Sequence, residues 1–418
     1  MNICFISIAL PDMNTDSGGF YADLIRGLAI NHKVSVLAPS LDDGFYGLRQ
    51  EGNCRVLRVP SKPFIGNIPI WKKGCRLIML SHNYIKAYKK FLGKTFFDVV
   101  FMPTPPMNFV DVFKYIKRKS GAKTYLILRD IHPDCLNRRN ISPKALNNPF
   151  IHDEARKPYA VNILIQKYLK AKARELYKVS DIIGCMSPEN CNYIKRVYST
   201  VREDTLKVLP NWYAGNSDNN DRYLQDNIRE KYNLRGKYIA IFGGTIGEAQ
   251  AIWNIVALAK NNLDKKNVVF LVVGRGSKKQ LLQQIAHEEN ISNIRVLDYL
   301  PREDYENILA LADVGIISID EKYSVPTCPS KIIGYMALKK PVLAIFNKGN
   351  DYGEYYIDRP ECGFWSADLN YEKYFNDFDK LYYDASLRKR LGDNGFQFYK
   401  ENLTVGNAVK IIEKHINE

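Results

Sequence analysis

Five short stretches carry residue types whose spacing suits the handling of an anion. The most unusual is YSVPTCPSKIIGYMALKKP, residues 323 to 341. Pro329 is well placed as a first helical residue, which puts Ser330 and Lys331 in the first turn, where free amides and the positive end of the helix dipole point outward. A lysine there meets a like-signed dipole unless an anion lies between them; the alternative is an exposed lysine tolerated at a cost of a few tenths of a kcal/mol, to an order of magnitude. Asp16-Ser17-Gly18-Gly19 and Gly243-Gly244-Thr245-Ile246-Gly247 each follow an apolar run and precede a helical one. Bare backbone amides at such a point approach an anion closely, and a plain tight turn would want the same glycines. The second of them does not match G-x-G-x-x-G with a later acidic residue, so a dinucleotide cofactor has little support. Arg275, in VVGRGS, is placed to fork onto a phosphate or to stand exposed in a loop. In RDIHPD, Arg129, Asp130 and His132 bring a guanidinium, a carboxylate and an imidazole together, a set suited to acid–base work or acceptor binding. One of its carboxylates would instead hold the arginine if the cluster were purely structural.

All five stretches follow strand-like runs. ICFISIAL, KVSVLAP, FDVVFMP, AKTYLILRD, DIIGCMS and LKVLPN alternate with helical segments in the first half, and YIAIFGG, NVVFLVVGRG, NIRVLDYL, DVGIISI and PVLAIF do so in the second. Such alternation predicts parallel sheets covered on both faces. A polar, turn-rich stretch after Pro210 separates the halves. The reading is therefore α/β with two doubly wound domains, residues 1–212 and 213–384, facing across a cleft at the carboxyl ends of their strands. The amphipathic helices of 385–418 are free to pack back on the first domain.

Charge is unevenly placed. Of the 60 Lys+Arg and 45 Asp+Glu, residues 1–237 hold 38 and 21, and residues 238–418 hold 22 and 24. The run from Gly52 to Phe97 has ten basic residues and no acidic one. An anionic partner for this half is expected, a membrane surface rather than nucleic acid, because no aromatic-basic recognition motif accompanies the charge. Within it Leu77, Tyr84, Ile85, Tyr88, Phe91 and Leu92 share a helical face opposite Arg76, Lys86, Lys89 and Lys90. This suits a helix lying on a membrane and equally a core-packed helix with a solvated basic face. Eight cysteines without C-x-x-C or metal spacing read as reduced thiols, and no apolar run reaches the ~18 residues of a membrane span.

SGGF, FDVVFMPTPP, LILRDIHPD, LKVLPNW, FGGTIGEAQ, FLVVGRGSKKQL, VLDYLPREDYENILALADVGIISI and PSKIIGYMALKKPVLA, in this order, resemble family 4 of the retaining glycosyltransferases, of GT-B architecture. The combination is most similar to the bacterial subgroup of fucosamine and related amino-sugar transferases of O-antigen and capsule assembly. The resemblance implies metal-independent transfer of a hexosyl or N-acetylhexosaminyl group from a UDP-sugar to a lipid diphosphate-linked saccharide, with no further cofactor. It implies a cytoplasmic protein, peripheral at the inner face of the membrane through residues 52–97. It places Gly18 and Gly19 at the donor diphosphate or sugar. Gly244, Thr245, Arg275, Ser330 and Lys331 fall around the diphosphate, the backbone of Tyr299 and Leu300 at the uracil, and Arg129, Asp130 and His132 near the reacting carbon and acceptor.

Most of that family carries glutamates where this chain has Gly334 and Pro326, the later one binding the ribose hydroxyls. Glu321 or Asp320 is the candidate substitute. Two other readings remain open on the sequence: a noncatalytic GT-B-like binding or scaffold subunit that lost its donor site with the glutamates, and a nucleotide-sugar epimerase of the same architecture, for which the basic first half has no use.

Overall fold

The computed structural model describes residues 1–15, 18–61, 70–136, 163–215, 222–323, 325–347 and 351–418. Asp16, Ser17 and part of the basic stretch 52–97 lie outside the described residues. Two compact units divide the chain: Met1–Leu136, Val161–Ala214 and Val405–Glu418 form the first, and the described part of the second lies within Gly215–Thr404.

The first unit runs β1 (Asn2–Ile6), α1 (Phe20–Leu28), β2 (Lys33–Pro39), β3 (Gly47–Glu51), β4 (Cys54–Val59), α2 (Ile70–Phe91), β5 (Val99–Pro103), α3 (Val110–Ser120), β6 (Lys123–Leu128), α4 (Ile163–Val179), β7 (Ile182–Cys185), α5 (Pro188–Val197) and β8 (Leu206–Val208). Its sheet has the order β3-β4-β2-β1-β5-β6-β7-β8, parallel except for β3 against β4. Side chains alternate between two cores. Cys4, Ile6, Leu37, Val100 and Leu126 face the layer containing α2, α3 and α4, while Ile3, Phe5, Val36, Phe101 and Tyr125 face α1 and the last helix of the chain.

The second unit runs α6 (Arg222–Lys231), β9 (Tyr238–Thr245), α7 (Ile252–Lys260), β10 (Val268–Arg275), α8 (Lys279–Glu288), β11 (Ile294–Leu297), α9 (Arg302–Ala310), β12 (Val314–Ser318), α10 (Lys331–Ala337), β13 (Val342–Phe346), β14 (Gly363–Ala367), α11 (Tyr371–Tyr383) and α12 (Ala385–Asn402). Its sheet, β11-β10-β9-β12-β13-β14, is parallel throughout. The order reverses at β9, between β10 and β12, which is where a doubly wound sheet opens a ligand crevice at its carboxyl edge.

Two features of the sequence reading are resolved by packing. In α2 the side chains of Leu80, Tyr84, Ala87, Tyr88 and Leu92 lie in the core, and Tyr84 Oη donates to Ser7 O at 2.7 Å. The apolar face is thus spent on the sheet, with Lys86, Lys89 and Lys90 outside. In the tail, α12 stays with the second unit, whereas α13 (Val405–Asn417) packs on α1 in the first. Glu413 meets His32 Nε2 at 2.8 Å, and Tyr125 Oη lies 2.8 Å from His415 Nδ1. Burial there pushes the His415 imidazole down to about 4.

Candidate functional site

In the second unit, the candidate residues gather at the carboxyl edge of the sheet around the reversal point. Gly243, Gly244 and Thr245 end β9, and Gly274 and Arg275 end β10. The two strand ends touch: a Cβ on Gly274, at φ +153°, would stand 1.8 Å from Gly244 O. Beyond them Ile246 N–H donates to Arg275 O and Lys278 N–H to Ile246 O, both at 2.9 Å. Behind Gly243, where a Cβ would collide with Tyr305 Oη, the buried Tyr335 hydroxyl donates toward Ile316 O (3.1 Å) and Ile241 O (3.3 Å) and accepts from Gly243 N–H (3.4 Å). Tyr335 ties β9 to β12 at the reversal point, a role that the run IIGYMA does not advertise because a buried tyrosine there reads simply as core.

Lys331 opens α10, with Ser330 as the residue before it, making no side-chain cap bond. The helix therefore starts two residues later than Pro329 suggests. The Lys331 side chain turns back over β9: its Cε lies 4.0 Å from where a Cβ on Gly244 would stand, and its Nζ 3.4 Å from the centroid of Phe242. The residue is half-buried, but Nζ itself is buried and has no hydrogen-bond partner among the described residues. Loss of hydration brings its pKa from 10.5 down to about 7. Lys331 and Gly244 are thus brought together.

Arg275 is exposed, its guanidinium 4.7 Å from the ring of Tyr299, which is itself 58% exposed. Thr245 is exposed and Leu300 half-buried. Asp320 and Glu321 follow β12 and are both buried; Asp320 N–H donates to Ala249 O at 2.9 Å. Burial raises the Tyr371 phenol far above its usual range, with the Glu321 and Asp320 carboxylates adding to the effect, which places that pair beside Tyr371. Gly334 is buried within α10 between Ile333 and Tyr335.

In the first unit the counterpart lies around the start of α1. Gly19 caps this helix in an extended conformation, and its carbonyl accepts from Asp23 N–H at 2.8 Å; Gly18 is exposed. Arg129, just past β6, reaches the same place, its Cζ 3.5 Å from the Phe20 centroid and 6.0 Å from that of Tyr21. The Phe20 ring is also stacked at 4.1 Å on Trp212, whose Nε1 donates to Phe20 O at 2.9 Å. Arg129 Nε is buried with no hydrogen-bond partner among the described residues, and no ion pair joins Arg129 to the exposed Asp130. Asp130 contributes its carbonyl, which accepts from His132 N–H at 2.7 Å. His132 is half-buried; desolvation lowers its pKa against the pull of Asp130 and Asp134, which favours the neutral ring. Asp134 is the buried carboxylate of the cluster, accepting from Tyr198 Oη at 2.5 Å and paired with Lys170 at 3.3 Å.

The chain after β1, at Leu10, Pro11 and Met13, is held by an ion pair with no exposed side-chain surface. Arg58 grips Glu51 through Nε and Nη2 (2.8 and 2.6 Å) and donates to the carbonyls of Leu10, Pro11 and Pro39. Glu51 also accepts from Met13 N–H at 3.1 Å. These two residues, missed as site-supporting in sequence, lie inside the basic stretch and at its edge, where Arg58 looks like one more surface charge. Among the described residues no group of histidine, cysteine and carboxylate side chains is arranged to hold a metal ion, and no helix is long and apolar enough to cross a membrane.

Residues 225–398, within the second unit, match the family model described as Glycosyl transferases group 1. Probable glycosyltransferase WbjE of Pseudomonas aeruginosa is 25% identical over 285 residues, covering 65% of this chain and 63% of that protein. Putative colanic acid biosynthesis glycosyl transferase WcaI of Escherichia coli K12 is 22% identical over 277 residues, 64% of this chain and 60% of the relative. The matches thus span less than two thirds of either relative. Among solved structures, sucrose-phosphate synthase from Thermosynechococcus elongatus superposes with a TM-score of 0.70 at 15% identity, covering 99% of this chain and 97% of that one. Anabaena HepE in complex with UDP does so at 0.64 and 13%, covering 100% of both. The fold is that of GT-B glycosyltransferases, with two Rossmann-like sheets.

Proposed function

We propose that the protein is a retaining glycosyltransferase that takes a sugar, in the best case an N-acetylated amino sugar, from a UDP-sugar and places it on a lipid diphosphate-linked saccharide in surface polysaccharide assembly. The observation that carries this reading is Lys331: a buried amine nitrogen, unpartnered among the described residues, beside Gly244 at the sheet reversal of the region that matches the group 1 model. Such a nitrogen is costly to keep and is explained by an anion that takes it as partner. The UDP named with HepE and the colanic acid named with WcaI support the donor and pathway classes.

In this reading the second unit holds the diphosphate. Lys331 and Arg275, with the amides of Gly244 and Thr245, stabilise the charge that grows on the leaving phosphate as the sugar becomes cation-like. No divalent ion is invoked, and the leaving phosphate itself takes the acceptor's proton, so no side-chain nucleophile is needed. Ser330 adds a hydroxyl to the phosphate, the Tyr299–Leu300 backbone meets the uracil, and Glu321 replaces the absent glutamate at Gly334 toward the ribose. Gly18, Gly19, Arg129, Asp130 and His132 serve the sugar and the acceptor from the first unit. The exposed lysines of α2 hold the protein electrostatically at the anionic inner face of the membrane.

The test is calorimetric titration with UDP, followed by a screen of UDP-sugars against lipid diphosphate-linked acceptors. Micromolar UDP binding and transfer that falls at least tenfold in Lys331→Ala are expected. A folded chain that does not bind UDP is the scaffold reading instead.

A further inference from the structure

Three cations among the candidate residues, two in the second unit and one in the first, share a construction. Arg129, Arg275 and Lys331 each lie over an aromatic face, Phe20 at 3.5 Å, Tyr299 at 4.7 Å and Phe242 at 3.4 Å, and among the described residues none of the three is in an ion pair. Carboxylates are close by. Asp130 follows Arg129 in the chain and is exposed without pairing to it. Asp298, next to Tyr299, is taken by Lys279, and Glu248 is taken by Lys278 at 2.8 Å. The lysines beside Arg275 are thus neutralised by carboxylates, while Arg275 itself is left on a ring.

The physical difference between the two kinds of partner is large for an anion-binding site. A carboxylate holds a cation by cancelling its charge, and an incoming phosphate must displace it. An aromatic face holds the cation through its quadrupole and leaves the net charge intact. The ring also fixes where the cation sits, so less side-chain freedom is lost when ligand arrives. The rings are themselves held: Phe20 lies between Arg129 and Trp212, and Phe242 is a fully buried residue of β9.

We propose that Phe242 and Tyr299 are positioning residues, aromatic seats that orient Lys331 and Arg275 of the second unit, with no carboxylate cancelling their charge, for the phosphate oxygens of a nucleoside diphosphate, and that Phe20 seats Arg129 in the same way within the first unit. This rests on the donor reading above for the identity of the anion, and on geometry alone for the seats.

Tyr299 offers the cleanest test, because its exposure means that it carries little of the core. A double-mutant cycle on UDP affinity compares Tyr299→Leu in the wild-type and Arg275→Ala backgrounds, with Tyr299→Phe as the conservative variant. We expect Tyr299→Leu to weaken UDP about three- to tenfold, Tyr299→Phe to stay within about twofold, and the Leu effect to shrink below about twofold once Arg275 is gone. The same cycle with Phe242→Leu and Lys331→Ala is expected to couple likewise, thermal unfolding being followed in parallel. An undiminished Tyr299→Leu effect in the Arg275→Ala background means that the ring touches the ligand itself, and overturns the proposal. So does a Tyr299→Leu variant with wild-type affinity. If the wild-type chain binds inorganic pyrophosphate but not UDP, the donor reading fails alone and the cycle is read with pyrophosphate. Binding of neither overturns both.

Discussion

Lys331 makes a pH prediction that follows from its surroundings. With Nζ buried against Phe242 and no acceptor beside it among the described residues, its pKa falls to about 7 in the free protein. A diphosphate supplies the missing partner, so it binds the protonated form and the pKa rises on binding. Between pH 7 and 9 the protonated fraction of free Lys331 drops from about one half to about one hundredth. UDP affinity is then expected to fall about fiftyfold over that range, close to tenfold per pH unit at its upper end. The terminal phosphate does not confuse the window, since its second ionisation near pH ~6 is complete. Lys340, brought down to about 8 by burial, titrates in the same window but is committed to Ala310 O at 2.7 Å. Lys331→Arg separates the two: guanidinium stays charged, so the slope is expected to vanish while binding persists. Calorimetry in buffers of different ionisation enthalpy gives an independent reading, with uptake of about half a proton per UDP at pH 7 rising toward one near pH 8.5. The same depressed pKa is a stability penalty, fully present below about pH 7 and relieved as pH rises toward the unfolded value near 10. Lys331→Met is accordingly expected to stabilise the free protein at pH 7 by about 1–3 kcal/mol, less at pH 9. A UDP affinity that is flat from pH 7 to 9 in the wild-type protein would refute the reasoning.

Two further substitutions test what holds the site in place. Gly274→Ala puts a methyl 1.8 Å from Gly244 O at a backbone angle that side chains rarely adopt. It is expected to cost about 3 kcal/mol or more and to abolish UDP binding even where the variant remains folded by circular dichroism, because the β9 and β10 ends must part. Glu51→Gln leaves the Arg58 charge without its counter-ion in a site with no exposed side-chain surface. A loss of about 3–5 kcal/mol by urea unfolding is expected, whereas the Glu51→Leu, Arg58→Met pair removes both charges and should lose much less. Equal losses in the single and double variants would show that the ion pair is not what fixes this loop.

Much of the architecture is legible without coordinates because it depends on near neighbours in the chain. YIAIFGG and VVFLVVGRG are apolar runs too short for helices, each ended by glycine, and their alternation with helical segments is enough for parallel sheets in two halves. The β3–β4 hairpin is harder to see, because GLRQE is a polar edge strand paired on one side only. The face of α2 shows the limit of periodicity: Tyr84, Tyr88 and Leu92 have the same spacing whether they meet a membrane or a sheet, and only Ser7 and the β-strands beside them decide it.

Residue type and position mark Arg129, Gly244, Arg275 and Lys331 as candidates, since glycines and cations after parallel strands are chemistry that any ligand-free reading can flag. What each cation rests on was decided by tertiary structure. Phe242 reads as one more core residue of a strand, Phe20 as the start of a helix and Arg58 as one of ten basic residues in a stretch without an acidic one. Folding turns Lys331 back across Phe242, lays Arg129 on Phe20 and buries Arg58 against Glu51. The periodicity that makes strands and helices is local, whereas the electrostatic state of a charge is set by whatever the fold carries to within a few ångströms of it.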